Sequence, residues 1–307
     1  MRLRLADLVP HDAAGHVEEL RSLPAAAPSS LPQPDLSTPE GLRIARGLLS
    51  TRPPDPRAVV HTARAGGRQV PVRVITPKGK RARAVYLQIH GGGFYMDSAA
   101  RSDSRNVLVA DALGVVAVSV EYRLAPEHPW PAAPDDCETA ALWLLDEAES
   151  LFGTGRLIIA GASAGATLAV ATLLRIRDRG QIRPFLGAVL QFGAYDLSGQ
   201  SPGGRLYADE GFIQAYAGHV ADRTNPDISP LYGNLHGLPP ALMVVGSTDI
   251  LLEDNLGIAG RLVAAGSDVE LRVYPESPHA FTSFPTQMAS SALSGIESWM
   301  ARLLDGS

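Results

Sequence analysis

The chain is short of several things that would have named a class at once. Cys137 is its only cysteine, so no disulfide can close within it, and a cytoplasmic setting fits. No window holds roughly eighteen apolar residues in a row, and Met1 to Asp7 lack an uninterrupted apolar stretch, so neither a membrane span nor a signal peptide is expected. Only 19% of residues are charged, the net charge is −5, and no dense Lys/Arg run occurs. That speaks against nucleic-acid or anionic-membrane partners and against stable membrane insertion. No internal repeat recurs.

What is present suits a folded enzyme-sized domain. The 307 residues are 45% hydrophobic, enough for one large α/β domain with a small lid. Residues 1–57 stand apart. Pro24, Pro28, Pro32, Pro34 and Pro39 make an extended connector between two short helical candidates, 13–22 and 39–50. Strands 58–64 and 69–76 flank Gly66-Gly67 as a hairpin. Apolar strands at 84–89, 114–120, 157–160, 186–192, 241–245 and 269–274 then alternate with helical patterns. The helix opening at Asp135-Asp136 carries apolar or small residues at 137, 140, 141, 144, 145 and 148, among which Cys137 reads as a core residue. Strands apolar throughout are covered on both faces, which gives a mostly parallel sheet of about eight strands with an antiparallel start. Residues 194–238 break the rhythm and read as an insertion.

In such sheets the site forms at the C-terminal strand ends. Gly161-Ala162-Ser163-Ala164-Gly165 is a G-x-S-x-G turn from strand to helix, which holds a serine hydroxyl above the sheet edge at a helix N-terminus. A serine nucleophile needs a base, and the base an orienting carboxylate. Asp249 ends a later strand and His279 follows the last one. Asp196, Glu253 and Asp254 are the competing acids: the first begins the insertion, the others fall in a first helical turn. His90-Gly91-Gly92-Gly93 follows a buried strand, where bare backbone N–H groups approach a ligand closely. Gly92 and Gly93, with Gly91 as an alternative and Ala164 as a further donor, suit an oxyanion hole. Phe94, Phe212 and Phe281, with Tyr95 and Trp130, are candidates to line the pocket, although core packing accounts for each equally well.

Four features together resemble the bacterial branch of the hormone-sensitive-lipase-like esterases, in the α/β-hydrolase superfamily. They are His90-Gly-Gly-Gly-Phe94, the stretch from Tyr122 to Asp136 (Tyr-Arg-Leu-Ala-Pro-Glu-His-Pro-Trp-Pro-Ala-Ala-Pro-Asp-Asp), Gly161-Ala-Ser-Ala-Gly165, and Asp249 with His279. The match runs from about Ala84 to the C-terminus. The resemblance implies an α/β-hydrolase domain, 58–193 and 239–307, under a helical cap built from 1–57 and 194–238. It implies cofactor- and metal-free hydrolysis of small-molecule esters with short to medium acyl chains, and a homodimer as one assembly. Amide, lactone or thioester hydrolysis uses the same triad, and a non-catalytic receptor on this scaffold is a further alternative. The chain departs from the family where Ala162 replaces an Asp before the serine, where Ile250 replaces Pro after Asp249, and where Ala280 replaces Gly after His279. None of these positions carries a catalytic group. Glu121, Arg123, Glu127, Asp135 and Asp136 suit a network that pins loops.

Overall fold

A computed structural model describes residues 5–22, 34–47, 53–79 and 81–306. The connector prolines 24, 28 and 32, and the last residues of the second helical candidate, lie outside them. In chain order the helices and strands are α1 (Val17–Ser22), α2 (Pro39–Gly47), β1 (Val59–Ala65), β2 (Arg68–Ile75), β3 (Val85–Ile89), α3 (Asp103–Leu113), β4 (Val116–Val120), α4 (Ala132–Phe152), β5 (Leu157–Ala162), α5 (Ala164–Asp178), β6 (Phe185–Gln191), α6 (Pro202–Arg205), α7 (Gly211–Ala217), β7 (Ala241–Gly246), α8 (Leu252–Ala264), β8 (Val269–Tyr274) and α9 (Gln287–Asp305).

The eight strands form one sheet in the order β1-β2-β4-β3-β5-β6-β7-β8. β1 with β2, and β2 with β4, are antiparallel, and every later pairing is parallel. After β4 the chain passes over β3 to lay β5 on its other side. Winding therefore reverses between β3 and β5, and such a reversal opens a crevice at the carboxyl ends of those strands. The two strands that end there are followed by His90 and by Ser163.

Alternation along the strands divides the core. Val85, Leu87 and Ile89 join the apolar cluster that takes in α4, α5 and α8. Ala84 and Tyr86 face the cluster built with α3 and α9. α4 begins at Ala132, ahead of the acidic pair expected to start it, so Asp136 lies inside the helix. There it accepts the Arg123 backbone N–H at 2.9 Å and the guanidinium at 2.8 and 2.9 Å. Cys137 is fully buried, and burial pushes its thiol well above the ordinary range, so it stays a protonated core group.

The N-terminal segment touches the body of the fold in several places. Residues 12–21 lie along α9 and the loop after β8, with Ser291 donating to Asp12, Gln287 N–H to Glu19, and Arg21 paired with Glu276. α2 lies elsewhere: Arg46 donates to the Tyr95 and Ala125 carbonyls at 2.8 and 3.1 Å and pairs with Glu127.

The β5–α5 turn depends on the absence of two side chains. A Cβ on Gly161 would lie 2.1 Å from the Gly165 carbonyl oxygen, and one on Gly165 would lie 2.2 Å from the Ile89 carbonyl oxygen. The Gly165→Ala variant is thus expected to wedge α5 off β3 and to cost about 1–3 kcal/mol, as overpacking does. Urea unfolding checks this, and an unshifted midpoint contradicts it.

The insertion is tied to the body by a buried carboxylate. Asp254 Oδ2 accepts from the Tyr195 and Asp196 backbone N–H groups and, at 2.7 Å, from the Tyr207 hydroxyl. Its Oδ1 has no partner among the described residues. Burial, opposed by those hydrogen bonds, pushes its pKa up to about 6. Between the unfolded value of about 3.9 and that value, the folded protein holds a proton that the unfolded chain has released. Asp254 therefore lowers stability as pH rises from about 4 to about 6. Asp254→Asn keeps one oxygen for all three donors and removes that titration. Its stability relative to wild type should rise between pH 4 and pH 7, read from urea midpoints, and parallel pH profiles would count against this assignment.

Candidate active site

Ser163 stands between β5 and α5 with φ 53° and ψ −124°. A positive φ is strained for serine and persists only where the surroundings hold it. Its N–H donates to the Gln191 carbonyl at 2.9 Å, and its carbonyl accepts from Ala166 N–H at 2.9 Å, so both neighbouring elements grip the residue.

The fold brings Asp249 and His279 to it. Ser163 Oγ lies 3.0 Å from His279 Nε2. His279 Nδ1 lies 3.0 and 3.1 Å from the two oxygens of Asp249. The Asp249 side chain is wholly buried and also accepts the Leu251 N–H at 2.9 Å, whereas the His279 side chain is 38% exposed. The carboxylate is fixed, and the imidazole borders the cavity. Of the competing acids, Asp254 is spent on the insertion. Asp196 accepts the Ser198 and Ser201 N–H groups at 2.9 and 2.7 Å.

The glycine run lies directly beside the serine. A Cβ on Gly91 would come 2.8 Å from the Ala162 carbonyl oxygen and 3.4 Å from Ser163 Cβ. Gly92 (φ 102°) and Gly93 (φ 56°) adopt backbone conformations that favour glycine. The Gly91 carbonyl accepts from the Tyr122 hydroxyl at 3.1 Å and from His90 Nδ1 at 2.8 Å. The Gly92 carbonyl accepts from the N–H groups of Tyr95 and Met96. A trans peptide points its C=O and the following N–H in opposite directions. The N–H groups of Gly92 and Gly93 therefore face away from the contacts that hold the loop. His90 stacks on Tyr122 with ring centroids 4.1 Å apart, and burial pushes its pKa down to about 4. It is a neutral structural imidazole that donates through Nδ1.

A cavity of about 830 Å³ opens over these residues. Phe212 lines its mouth, partly buried. Phe94 borders it from a fully buried position, stacked on Tyr216 at 3.9 Å. Phe281 does not reach the cavity: it is buried against Phe192 and Tyr274, so core packing accounts for it. Trp130 is also absent from the lining and donates through Nε1 to Asp227 at 2.9 Å. Sequence reasoning missed the inner arm of the cavity, where Gln88, Gln191 and Thr282 meet Leu293, Ile296 and Met300 of α9. A polar residue inside each apolar strand, Gln88 and Gln191, was the available signal. Among the described residues no group of three or more His, Cys, Asp or Glu is arranged to hold a metal, and no helix is long and apolar enough to cross a membrane.

Comparison with known proteins agrees with this architecture. A family model described as alpha/beta hydrolase fold matches residues 86–283. The chain is 32% identical over 229 residues to ethyl acetate hydrolase of Pseudomonas putida, covering 70% of this chain and 72% of that protein. It is 31% identical over 280 residues to carboxylesterase NlhH of Mycobacterium tuberculosis, covering 82% and 86%. Among solved structures, a bacterial heroin esterase superposes with a TM-score of 0.79 at 26% identity, over 97% of this chain and 98% of that one. A hormone-sensitive lipase from a metagenome library superposes with a TM-score of 0.72 at 31% identity, over 87% and 94%. With the sheet order, the crevice and these likenesses taken together, the chain belongs to the α/β-hydrolase family, within its hormone-sensitive-lipase-like esterase branch.

Proposed function

We propose that this protein hydrolyses carboxylic esters of short to medium acyl chain through an acyl-enzyme on Ser163. The observation that carries the reading is the line from Ser163 Oγ to His279 Nε2 and from Nδ1 to Asp249, with links of 3.0 Å each. His279 Nε2 takes the hydroxyl proton as Ser163 Oγ attacks the ester carbonyl carbon. Asp249 keeps the other proton on Nδ1, so that Nε2 is the basic nitrogen, and stabilises the imidazolium that forms. When the tetrahedral intermediate collapses, the C–O bond to the alcohol breaks and His279 returns its proton to the departing oxygen. Water then repeats the sequence on the acyl-enzyme, with His279 as base, and releases the carboxylic acid and Ser163.

The negative oxygen of each intermediate is met by backbone donors. Gly92, Gly93 and Ala164 supply the N–H groups, and Gly91 supplies the close approach of the loop to Ser163. Because these donors are held before substrate arrives, they need no reorganisation at the moment of reaction. The cap reading fits the same geometry: Phe212 from the insertion closes the mouth, and Arg46 of α2 ties the N-terminal segment to the carbonyl of Tyr95, beside the glycine run. The names of the relatives, an ethyl acetate hydrolase and a carboxylesterase, support a small ester as substrate.

Two expectations follow from the geometry. Ser163→Ala should lower turnover of p-nitrophenyl butyrate by about 10⁶-fold, as loss of a triad nucleophile does, in protein whose circular dichroism matches wild type. Equal rates would remove Ser163 from the mechanism. The acyl chain is assigned to the arm beside α9, so Leu293→Trp should lower the ratio of octanoate to acetate hydrolysis roughly tenfold or more. An unchanged ratio places the acyl chain elsewhere.

A further inference from the structure

The inner arm of the cavity holds one side chain for which ester hydrolysis has no task. Gln88 lies on β3 between Tyr86 and His90 and lines the arm together with α3 and α9. His90 Nε2, in the same lining, also has no partner among the described residues, whereas three other polar side chains near Gln88 are engaged. Asn106 donates to Ser119 at 2.6 Å, Thr282 donates to Gln191 Oε1 at 3.1 Å, and Arg105 pairs with Glu297 at 2.8 Å. Gln88 itself is partly buried, and its Oε1 is closed off from solvent with no hydrogen-bond partner among the described residues. A buried carbonyl oxygen without a donor is costly, and a leucine of similar size would occupy the same place without that cost. That oxygen is therefore a cost to the fold, on a side chain that lines the cavity.

Its distance from the reaction centre fits a substrate limb. Gln88 is in register with Ala160 on β5, three residues before Ser163, which is about 10 Å along a strand. Ala162, with only a methyl group, lines the cavity between them, and Leu293, Ile296 and Met300 supply an apolar wall. Methylenes would lie against that wall, with a polar group at their far end beside the amide. A hydroxyl donates and accepts, so it satisfies either end of a glutamine amide.

We propose that Gln88 is a specificity-determining residue that hydrogen-bonds a hydroxyl group on one limb of the ester, making medium-length esters with a terminal hydroxyl the preferred substrate class. This rests on the esterase reading above.

The test compares isosteric esters that differ only in a terminal hydroxyl or methyl group. On the acyl side these are p-nitrophenyl 6-hydroxyhexanoate and p-nitrophenyl heptanoate; on the alcohol side, 6-hydroxyhexyl acetate and heptyl acetate. kcat/KM is measured for wild type, Gln88→Leu and, as a second volume-conserving variant, Gln88→Met. The hydroxyl-to-methyl ratio is taken within each protein, so differences in the amount of active enzyme cancel. Wild type should favour the hydroxyl ester in one of the two pairs, and both variants should lower that ratio roughly tenfold. A response in the acyl pair agrees with the acyl chain lying in the arm, and a response confined to the alcohol pair keeps the role of Gln88 but moves the alcohol limb there. Ratios equal in wild type and variants, with all four esters hydrolysed, overturn the role of Gln88 and leave the esterase reading standing. No hydrolysis of any of the four by wild type overturns both.

Discussion

The contact on which the site depends is the approach of Gly165 to the end of β3. With no side chain at that position, α5 starts against the carbonyls of Ile89 and His90, the last residue of β3 and the one after it. The same approach draws the Ser163 turn and the glycine run together, because one follows β5, the other follows β3, and those two strands are neighbours in register. Winding reverses at this pair of strands, so no crossover helix covers the crevice between their ends. The proposed nucleophile and oxyanion donors thus come from one backbone contact, while Asp249 and His279 arrive from strands farther along the sheet.

A second layer of order lies behind the site and is electrostatic. Arg175 of α5 pairs with Asp135 and Glu138 of α4 at 2.8 and 3.1 Å, and with Asp227 of the insertion at 2.6 Å. Arg123 and Asp136 hold the loop after β4, and Tyr122 in that loop reaches the His90 and Gly91 carbonyls. A partly buried ion pair contributes little net stability, but losing one partner strands the other charge. The network therefore selects one arrangement of α4, α5, the insertion and the glycine run. This is the physical content of the long motif from Tyr122 to Asp136: it fixes the loop from which the His90 and Gly91 carbonyls are held.

The cavity combines two environments. Its mouth is formed by aromatic residues from the insertion and the segment after the glycine run, and its inner arm by side chains that α3 and α9 bring under the sheet. An ester bond placed at Ser163 lies between the two, so the two limbs of a substrate meet different surfaces. In the proposed mechanism that asymmetry separates selection of the ester from the chemistry at Ser163.

Much of this was legible in the residues themselves. Continuously apolar strands alternating with amphipathic helices specify a doubly covered parallel sheet, because period and burial are local properties of the chain. G-x-S-x-G and the glycine run are legible because they answer local steric demands, a tight strand-to-helix turn and a close backbone approach. Asp249 and His279 were legible from their place after late strands, given that parallel strands all end on one edge. Which aromatics border the cavity was not: Phe94 borders it from a buried stack on Tyr216, whereas Phe281 is sealed against Tyr274, because the course of the chain after each turn sets the direction of a side chain, and sequence spacing does not. The start of α4 ahead of its acids, the anchoring of the insertion on Asp254, and the unpartnered side-chain oxygen of Gln88 likewise emerged only with the tertiary structure. Each depends on which distant segments supply, or fail to supply, a hydrogen-bond partner. The sequence by itself determined the sheet, the order of the reactive groups and the chemistry they suit; the tertiary structure alone decided which side chains surround the substrate, since burial and pairing are settled by contacts between residues far apart in the chain.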